Sequence, residues 1–177
     1  RQVDIEGVAS QEELLKVKTD CLVLERPYEK KHLAKSNNYT KYIDDSIIFT
    51  RLFSKFITPN MKPSETIIQE LNSEIQKTFG IQIDLHALCK DTIKNFKASY
   101  KFYFYLLNRV NPKQLYVLVS YAYPSLIKAA KDLRIEVIEI QHGAFSKYHL
   151  GYSYNGKRSV AYFPDKFLAW NEFWRDL

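Results

Sequence analysis

Three consecutive residues, Gln141, His142 and Gly143, are the most informative candidates for chemistry in this sequence. They directly follow the apolar run Ile135–Ile140, which predicts a strand buried on both faces. A side chain at the carboxyl end of such a strand faces the crevice where parallel sheets bind ligands, and glycine allows a sharp turn and the close approach of a substrate. His142 can exchange a proton near neutral pH or donate a hydrogen bond to a phosphate or hydroxyl. The alternative is a partly buried histidine that only fixes the loop.

Polar residues at the ends of two further strands extend this candidate site. The first strand is followed by Glu25 and Arg26, and the strand that begins at Leu115 is followed by Ser120 and Tyr121. Downstream of His142, Lys147, His149, Lys157 and Arg158 could form an electropositive rim, although a solvated surface without function is the better explanation for Lys157 and Arg158 individually. The residues expected to bind substrate around a catalytic His142 are Gln141, Gly143, Ser120, Tyr121, Glu25, Arg26, Lys147 and Tyr148. The adjacent carboxylates Asp44 and Asp45 are interpreted as structural or solvated.

Several known motifs are excluded by their context. Gly151–Lys157 has the spacing G-x-x-x-x-G-K of a phosphate-binding loop, but Arg158 replaces the Ser or Thr that would hold magnesium, and no helix pattern follows. A hairpin over Gly151–Tyr162 with its turn at Asn155-Gly156 explains this segment better. The two cysteines, Cys21 and Cys89, form neither a CxxC motif nor a metal cluster, so we expect no cofactor or metal.

The elements that must position these residues follow from apolar periodicity. Helical spacing after Ser64 predicts a helix that ends at Gly80, and a longer helix begins near Asp84 and ends before Asn111-Pro112. The residues predicted to face the core from the longer helix are Leu85, Leu88, Ile93, Phe96, Tyr100, Tyr103, Phe104 and Leu107. A shorter helix is predicted from a capping box at Ser10, and the polar stretch Tyr28–Thr40 is interpreted as a loop.

The sequence pattern of the last third of the chain predicts how its strands are connected. Leu115–Ser120, a helix over Pro124–Leu133 and Ile135–Ile140 form a β-α-β unit, whose strands are parallel. Phe167–Trp170 is predicted to be another short strand. Together with the first apolar run, Cys21–Leu24, these patterns predict an α/β fold with one parallel sheet and helices on both faces.

Composition bounds the class of protein. The 177 residues suit one domain, and 46% hydrophobic with 26% charged residues is the balance of an ordinary globular protein. The net charge of +6 favours anionic partners, but the basic residues are spread along the chain without a nucleic-acid-binding motif, so we expect no nucleic acid. The apolar runs are too short to span a bilayer, and the cysteine content fits a reducing cytoplasm.

The run Val137–Gly143, with Tyr148 and Tyr152 and the segment Phe163–Trp174, resembles a pattern in bacterial capsule and lipopolysaccharide glycosyltransferases of the two-Rossmann-domain GT-B type. In that pattern, a strand ending in an HG turn is followed after a variable hairpin by a segment like P-D-x-x-x-x-W-G-x-x-W. Asn171 stands where the pattern has its glycine. The resemblance covers roughly the last quarter of the chain. The turn is more distantly similar to the W-H-G turn of polyol-phosphate transferases that make teichoic acids.

The resemblance implies that residues 1–177 are one Rossmann-like domain, the N-terminal half of a GT-B architecture, with a nucleotide-sugar domain beyond Leu177. It places His142 and Gly143 on the acceptor side of the cleft, with Gln141 in support. The implied partners are a nucleotide sugar and a carbohydrate acceptor, in a cytoplasmic enzyme that could contact the inner membrane face. His142 would then relieve the acceptor hydroxyl of its proton. A polyol-phosphate or other phosphosugar transferase and a non-catalytic binding domain are the alternatives.

Overall fold

Helices and short parallel strands make up a mixed α/β fold in the computed structural model, which describes residues 22–25, 40–42, 44–58, 64–146, 148–152 and 160–176. The elements in chain order are β1 Val23–Glu25, β2 Thr40–Tyr42, α1 Asp44–Ser54, α2 Glu65–Phe79, α3 Leu85–Val110, β3 Gln114–Val117, a 3₁₀ turn Ser120–Ala122, α4 Pro124–Asp132, β4 Glu136–Ile140, β5 Lys166–Leu168 and α5 Glu172–Arg175.

The predicted β-α-β unit is confirmed. β3 and β4 pair in parallel with Leu115 opposite Val137, and α4 connects them. β5 extends the sheet on the other side of β4, again in parallel, so the strand order is β3-β4-β5. β3 is shorter than its apolar run because the chain turns after Val117 and enters the 3₁₀ turn at Ser120. The carboxyl ends of all three strands therefore lie along one edge.

The prediction of a single sheet is wrong for the first strand. β1 pairs in parallel with β2 in a separate two-stranded sheet, with Leu24 opposite Lys41. Its partner begins at Thr40, which the polar composition had assigned to a loop. The burial of the run is nevertheless confirmed at Leu24, which is buried in the same core as Leu115 and Val137. An apolar run thus identifies a buried strand without identifying the strand that pairs with it.

Local capping explains where the long helices begin and end. α2 ends at Gly80, which adopts a left-handed backbone with φ 69° and donates its N–H to the carbonyl of Gln76. α3 begins after Asp84, whose carboxylate accepts the N–H of Ala87 at 2.9 Å. It ends at Asn111, which is also left-handed, and Pro112 follows. These predicted boundaries are confirmed.

The core lies where α3 and α4 cover the three-stranded sheet. Buried side chains from these elements include Leu107, Leu115, Leu126, Ile127 and Val137. α1 packs on the same stretch of α3, where Phe49 contacts the ring of Phe102 and the hydroxyls of Thr50 and Ser99 lie 3.1 Å apart.

One residue of the predicted apolar stripe on α3 does not face the core. Leu88 is 55% exposed, whereas Tyr103 and Leu107 are buried. The contacts of α3 with α1 and α4 involve Ser99, Tyr100 and Phe102, about three turns further along the helix. Helical periodicity therefore gave the correct face of α3 but not the part of its length that the other elements cover.

Several sequence predictions concern residues outside the described ranges. They are the capping box at Ser10, most of the loop Tyr28–Thr40 and the turn at Asn155-Gly156. At the described ends of the predicted hairpin, Tyr152 and Tyr162 lie in turns. The predicted strand over Phe167–Trp170 is confirmed with shifted bounds as β5.

Asp165 attaches β5 to the start of β4. One carboxylate oxygen accepts the N–H of Val137 at 2.9 Å, the other accepts the ammonium of Lys131 at 2.6 Å, and the N–H of Asp165 donates to the carbonyl of Val137 at 2.8 Å. Partial burial acts to raise the pKa of Asp165, but the hydrogen bonds from Lys131 and from the Val137 amide outweigh it and lower the pKa below its ordinary 3.8. The ionised carboxylate is therefore the form that stabilises this junction.

Replacing Asp165 with Asn should lower the free energy of unfolding by about 1 kcal/mol at neutral pH, a figure reduced for solvent screening because the carboxylate is partly exposed. Because the folded-state pKa is depressed, the stabilisation is present above the unfolded-state pKa and is lost as pH falls through the folded-state value. Urea unfolding from about pH 7 to about pH 3 should therefore show the difference from wild type vanishing in acid. Asp91→Asn, at an exposed position without an ion pair to any described residue, is the control; a difference that persists unchanged in acid would contradict the assignment.

Candidate functional site

The candidate site lies at the carboxyl edge of the three-stranded sheet. β3 leads into the 3₁₀ turn that contains Ser120 and Tyr121, and β4 leads into Gln141, His142 and Gly143. β5 leads into Trp170 on the other side of β4. Because the strands are parallel, these three segments meet at one edge, as the β-α-β prediction requires.

Gln141 fixes the turn that carries His142. Its side chain is 3% exposed; the amide nitrogen donates to the carbonyl of Gly143 at 2.9 Å and the amide oxygen accepts the N–H of Trp170 at 2.8 Å. The Gln141 carbonyl accepts the indole N–H of Trp170 at 2.8 Å, and its N–H donates to the carbonyl of Leu168 at 3.0 Å. A buried amide with these partners holds the backbone on both sides of His142, so its role here is positioning.

His142 is exposed, and its imidazole forms no hydrogen bond with any described residue. Its ring centroid lies 6.3 Å from that of Tyr121, which is 41% exposed. Beside it, a Cβ on Gly143 would meet no atom within 4 Å. Gly143 has no left-handed backbone, so neither conformation nor crowding requires glycine in this structure. The open space next to the imidazole is available to a ligand.

A buried carboxylate lies beneath this turn. Glu139 is 0% exposed, and its Oε1 accepts the backbone N–H of Ser120 at 3.0 Å and the hydroxyl of Tyr152 at 2.6 Å. Burial raises the pKa of Tyr152, and its hydrogen bond to Glu139 raises it further, so the tyrosine stays protonated as a donor. Glu139 thus ties the end of β3 and the loop containing Tyr152 to β4. Within the described part of the chain, its Oε2 has no hydrogen-bond partner.

The second histidine near the site, His149, already accepts a hydrogen bond from the backbone. Nδ1 of His149 accepts the N–H of Gly151 at 3.1 Å, so a neutral His149 carries its proton on Nε2. The ring of His149 lies 5.2 Å from that of Tyr121. A Cβ on Gly151 would lie 2.6 Å from Cγ of Tyr121, so glycine is required there to let the loop pack on the tyrosine ring. The loop therefore holds Tyr121 beside His142.

Aromatic rings surround the carboxyl edge beyond these residues. Phe145 contacts Tyr152, Phe167 and Trp174 at centroid distances of 5.5 Å, and Trp170 contacts Trp174 at 6.1 Å. The Phe145–Phe167 and Trp170–Trp174 pairs are edge-to-face, a geometry that stabilises a cluster beyond the area it buries. They give the edge an aromatic wall next to the exposed imidazole.

Comparison with protein-family models, with curated proteins and with solved structures finds no match. The site is therefore interpreted from its own geometry. Across the described ranges, no group of three or more His, Cys, Asp or Glu residues could hold a metal ion. Among the helices of the same ranges, none combines the length and apolarity that a membrane crossing needs.

The structure brings together some of the predicted site residues and separates others. His142, Gln141, Gly143, Ser120 and Tyr121 meet at the edge; Ser120 is buried, its N–H donates to Glu139 and its carbonyl accepts the N–H of Tyr123. The remaining predicted residues are Tyr148, which is 76% exposed in the following loop, Glu25, which ends β1 in the other sheet, and Arg26 and Lys147, which lie outside the described residues.

Glu139, Tyr152 and His149 were not among the predicted site residues. A partial signal existed for Glu139, because an acidic residue that is buried on a two-sided strand must find partners. The same run contains Glu136, which is only half-buried, so the sequence alone did not single out Glu139. Tyr152 and His149 had no such signal, since only the fold brings their loop onto Tyr121.

Tyr152→Phe should lower the free energy of unfolding by about 1–3 kcal/mol, because it leaves the buried Glu139 carboxylate without its hydroxyl donor. Denaturant unfolding measures the change. Tyr105→Phe is the matched control, since Tyr105 is 66% exposed and its hydroxyl bonds no described residue. Equal effects of the two substitutions would contradict the role assigned to Tyr152.

Gly151→Ala should destabilise the fold by about 1–3 kcal/mol, because the added methyl group overlaps the ring of Tyr121. In a Tyr121→Ala background the same substitution should cost within about 0.5 kcal/mol, since the clash is gone. Gly143→Ala, which meets open space, should be nearly neutral for stability. A double-mutant cycle measured by thermal unfolding tests this, and a cost of Gly151→Ala that ignores Tyr121 would refute it.

Proposed function

We propose that residues 1–177 form the Rossmann-like, acceptor-side domain of a GT-B glycosyltransferase that extends a bacterial surface polysaccharide. One observation carries the proposal: an exposed imidazole without a protein partner among the described residues, at the carboxyl edge of a parallel sheet, on a turn fixed by the buried amide of Gln141. A side chain held in this way is positioned for an incoming substrate. The resemblance of the Gln141–Gly143 turn and the Phe163–Trp174 segment to such enzymes supports the same assignment.

In this proposal, His142 acts as the general base. A nitrogen of its neutral imidazole accepts the proton of the acceptor hydroxyl as the hydroxyl oxygen bonds to the anomeric carbon of the donor sugar. The bond from that carbon to the nucleotide phosphate breaks, and the phosphate leaves with the electron pair. Charge on the leaving phosphate would be stabilised by the nucleotide-sugar domain proposed beyond Leu177.

The surroundings of His142 suit a carbohydrate acceptor. The half-exposed ring of Tyr121 offers an apolar face with a hydroxyl at its tip, a combination that suits the mixed surface of a sugar. The open space beside Gly143 allows an acceptor to approach the imidazole. A cytoplasmic enzyme with a net charge of +6 would also be attracted to the anionic inner membrane face, where polysaccharide acceptors are assembled.

In the full-length enzyme, His142→Ala should lower turnover by roughly 10²–10⁴, the usual contribution of general acid–base catalysis. The fold should keep its thermal stability, because the imidazole is exposed and makes no hydrogen bond to a described residue. His149→Ala should instead lower the unfolding temperature, because it removes the acceptor of the Gly151 N–H. Release of nucleotide from a nucleotide sugar and thermal unfolding measure the two effects.

The isolated chain of residues 1–177 should not transfer sugar, because the donor would lack its binding domain. Turnover of a nucleotide sugar by this chain alone would refute the two-domain arrangement. Near wild-type turnover of the His142→Ala enzyme would refute the catalytic assignment and favour a binding domain in which His142 only fixes the loop.

A further inference from the structure

A cavity of about 450 Å³ lies between α1, α3, the end of the 3₁₀ turn and the start of α4. Polar residues that line it include Arg51 of α1, Thr92 and Asn95 of α3, and Ser125 of α4. This volume is within the usual range of small-molecule sites. Of the predicted site residues that the structure describes, none lines it.

The start of α4 leaves hydrogen-bond donors at this cavity. Pro124 occupies the first turn and has no N–H, and the preceding residue, Tyr123, provides no side-chain cap. Within the described part of the chain, the backbone N–H groups of Ser125 and Leu126 have no acceptor. Buried amide donors need a partner, and the helix N-terminus carries partial positive charge.

The side chain of Ser125 is a second, independent feature. Ser125 is only 7% exposed and lines the cavity, yet its hydroxyl has no hydrogen-bond partner among the described residues. Its oxygen keeps some accessible surface at the cavity and is therefore open to a ligand. An acceptor group in the cavity would satisfy this hydroxyl and the free amides of the helix together.

The charge of the lining selects the class of ligand. Arg51 forms no ion pair and no side-chain hydrogen bond with any residue that the structure describes. No acidic residue is among the described residues lining the cavity. A guanidinium, free amides at a helix N-terminus and an unpaired hydroxyl are donors that together favour a multiply charged oxyanion.

We propose that this cavity binds the terminal phosphate group of a phosphorylated ligand, with the guanidinium of Arg51, the hydroxyl of Ser125 and the first amides of α4 as its donors. The proposal does not depend on the role of His142. The ligand could be a soluble phosphate compound or a lipid with a phosphomonoester headgroup, which share the same anionic group. Because Ala122 lines the cavity and its neighbour Tyr121 contacts His142, a ligand bound here lies one 3₁₀ turn away from the candidate site.

Calorimetric titration of the 177-residue chain with inorganic phosphate and with uridine diphosphate tests the soluble source. Cosedimentation with phosphatidylcholine vesicles, with and without phosphatidic acid, tests the lipid source. We expect binding of at least one of the phosphate probes with a Kd at or below about 1 mM. Arg51→Ala should weaken it by about tenfold to a hundredfold, as expected for loss of a charged hydrogen bond. If Arg51→Ala weakens binding in the titrations, the ligand is a soluble phosphate compound; if it weakens binding to the phosphatidic acid vesicles, the ligand is a lipid.

Two further variants separate binding from folding. Ser125→Asp places a carboxylate at the free helix N-terminus, so it should abolish phosphate binding while keeping or raising the unfolding temperature. Arg109→Ala, which removes the same charge from the exposed last turn of α3, should leave binding within about twofold, as expected for a screened surface charge. If Ser125→Asp prevents folding, the test depends on the difference in phosphate affinity between Arg51→Ala and Arg109→Ala. Absence of binding to every phosphate probe, or equal weakening by the two arginine variants, would overturn the proposal.

Discussion

The geometry of the carboxyl edge depends on the buried carboxylate of Glu139. With one oxygen it holds both the backbone of Ser120 and the hydroxyl of Tyr152, so the end of β3 and a loop that follows β4 are attached to the same atom. The 3₁₀ turn fixed in this way supplies Tyr121 to the imidazole of His142. Because Oε2 of Glu139 already lacks a partner among the described residues, loss of either donor to Oε1 would leave the buried carboxylate still less satisfied, which makes the network sensitive to the loss of any one member.

The end of β4 and the turn after it place buried supporting residues next to an exposed one. Glu139 and Gln141 are two residues apart and are both buried, and each uses its side chain to hold neighbouring backbone segments. His142 follows directly and is exposed. His142 is exposed because the chain leaves the sheet after Ile140, while the side chains of Glu139 and Gln141 stay buried and hold the segments around it. The rigidity of the turn then comes from the amide of Gln141 and not from contacts of the imidazole itself.

Sequence patterns predicted the parts of the fold that local physics controls. The left-handed Gly80, the cap at Asp84 and the stop at Asn111-Pro112 set helix ends that depend on a few neighbouring residues, and the β-α-β unit followed from apolar runs of the right length. Strand pairing was different. The partner of β1 begins at Thr40 in a polar sequence, and nothing local distinguishes such a strand from a loop.

The candidate site was predictable to a similar degree. The position of His142 followed from the end of β4, because parallel strands place their carboxyl ends together. Its neighbours His149 and Tyr152, and the packing of Gly151 on Tyr121, arise from a loop that returns to the sheet edge, and contacts of that kind are fixed by tertiary packing. The residues around Arg51 and Ser125 are far apart in sequence, so periodicity had no means of joining them.

The anchoring of Trp170 has a consequence for observing this molecule. The chain contains two tryptophans; Trp170 donates its indole N–H to the carbonyl of Gln141, and Trp174 packs against both Trp170 and Phe145. All intrinsic tryptophan fluorescence of the protein therefore originates beside the turn that carries His142. Emission wavelength and quenching report directly on the hydrogen bond and solvent exposure at that turn, so movement there is visible in the unmodified chain without any attached dye.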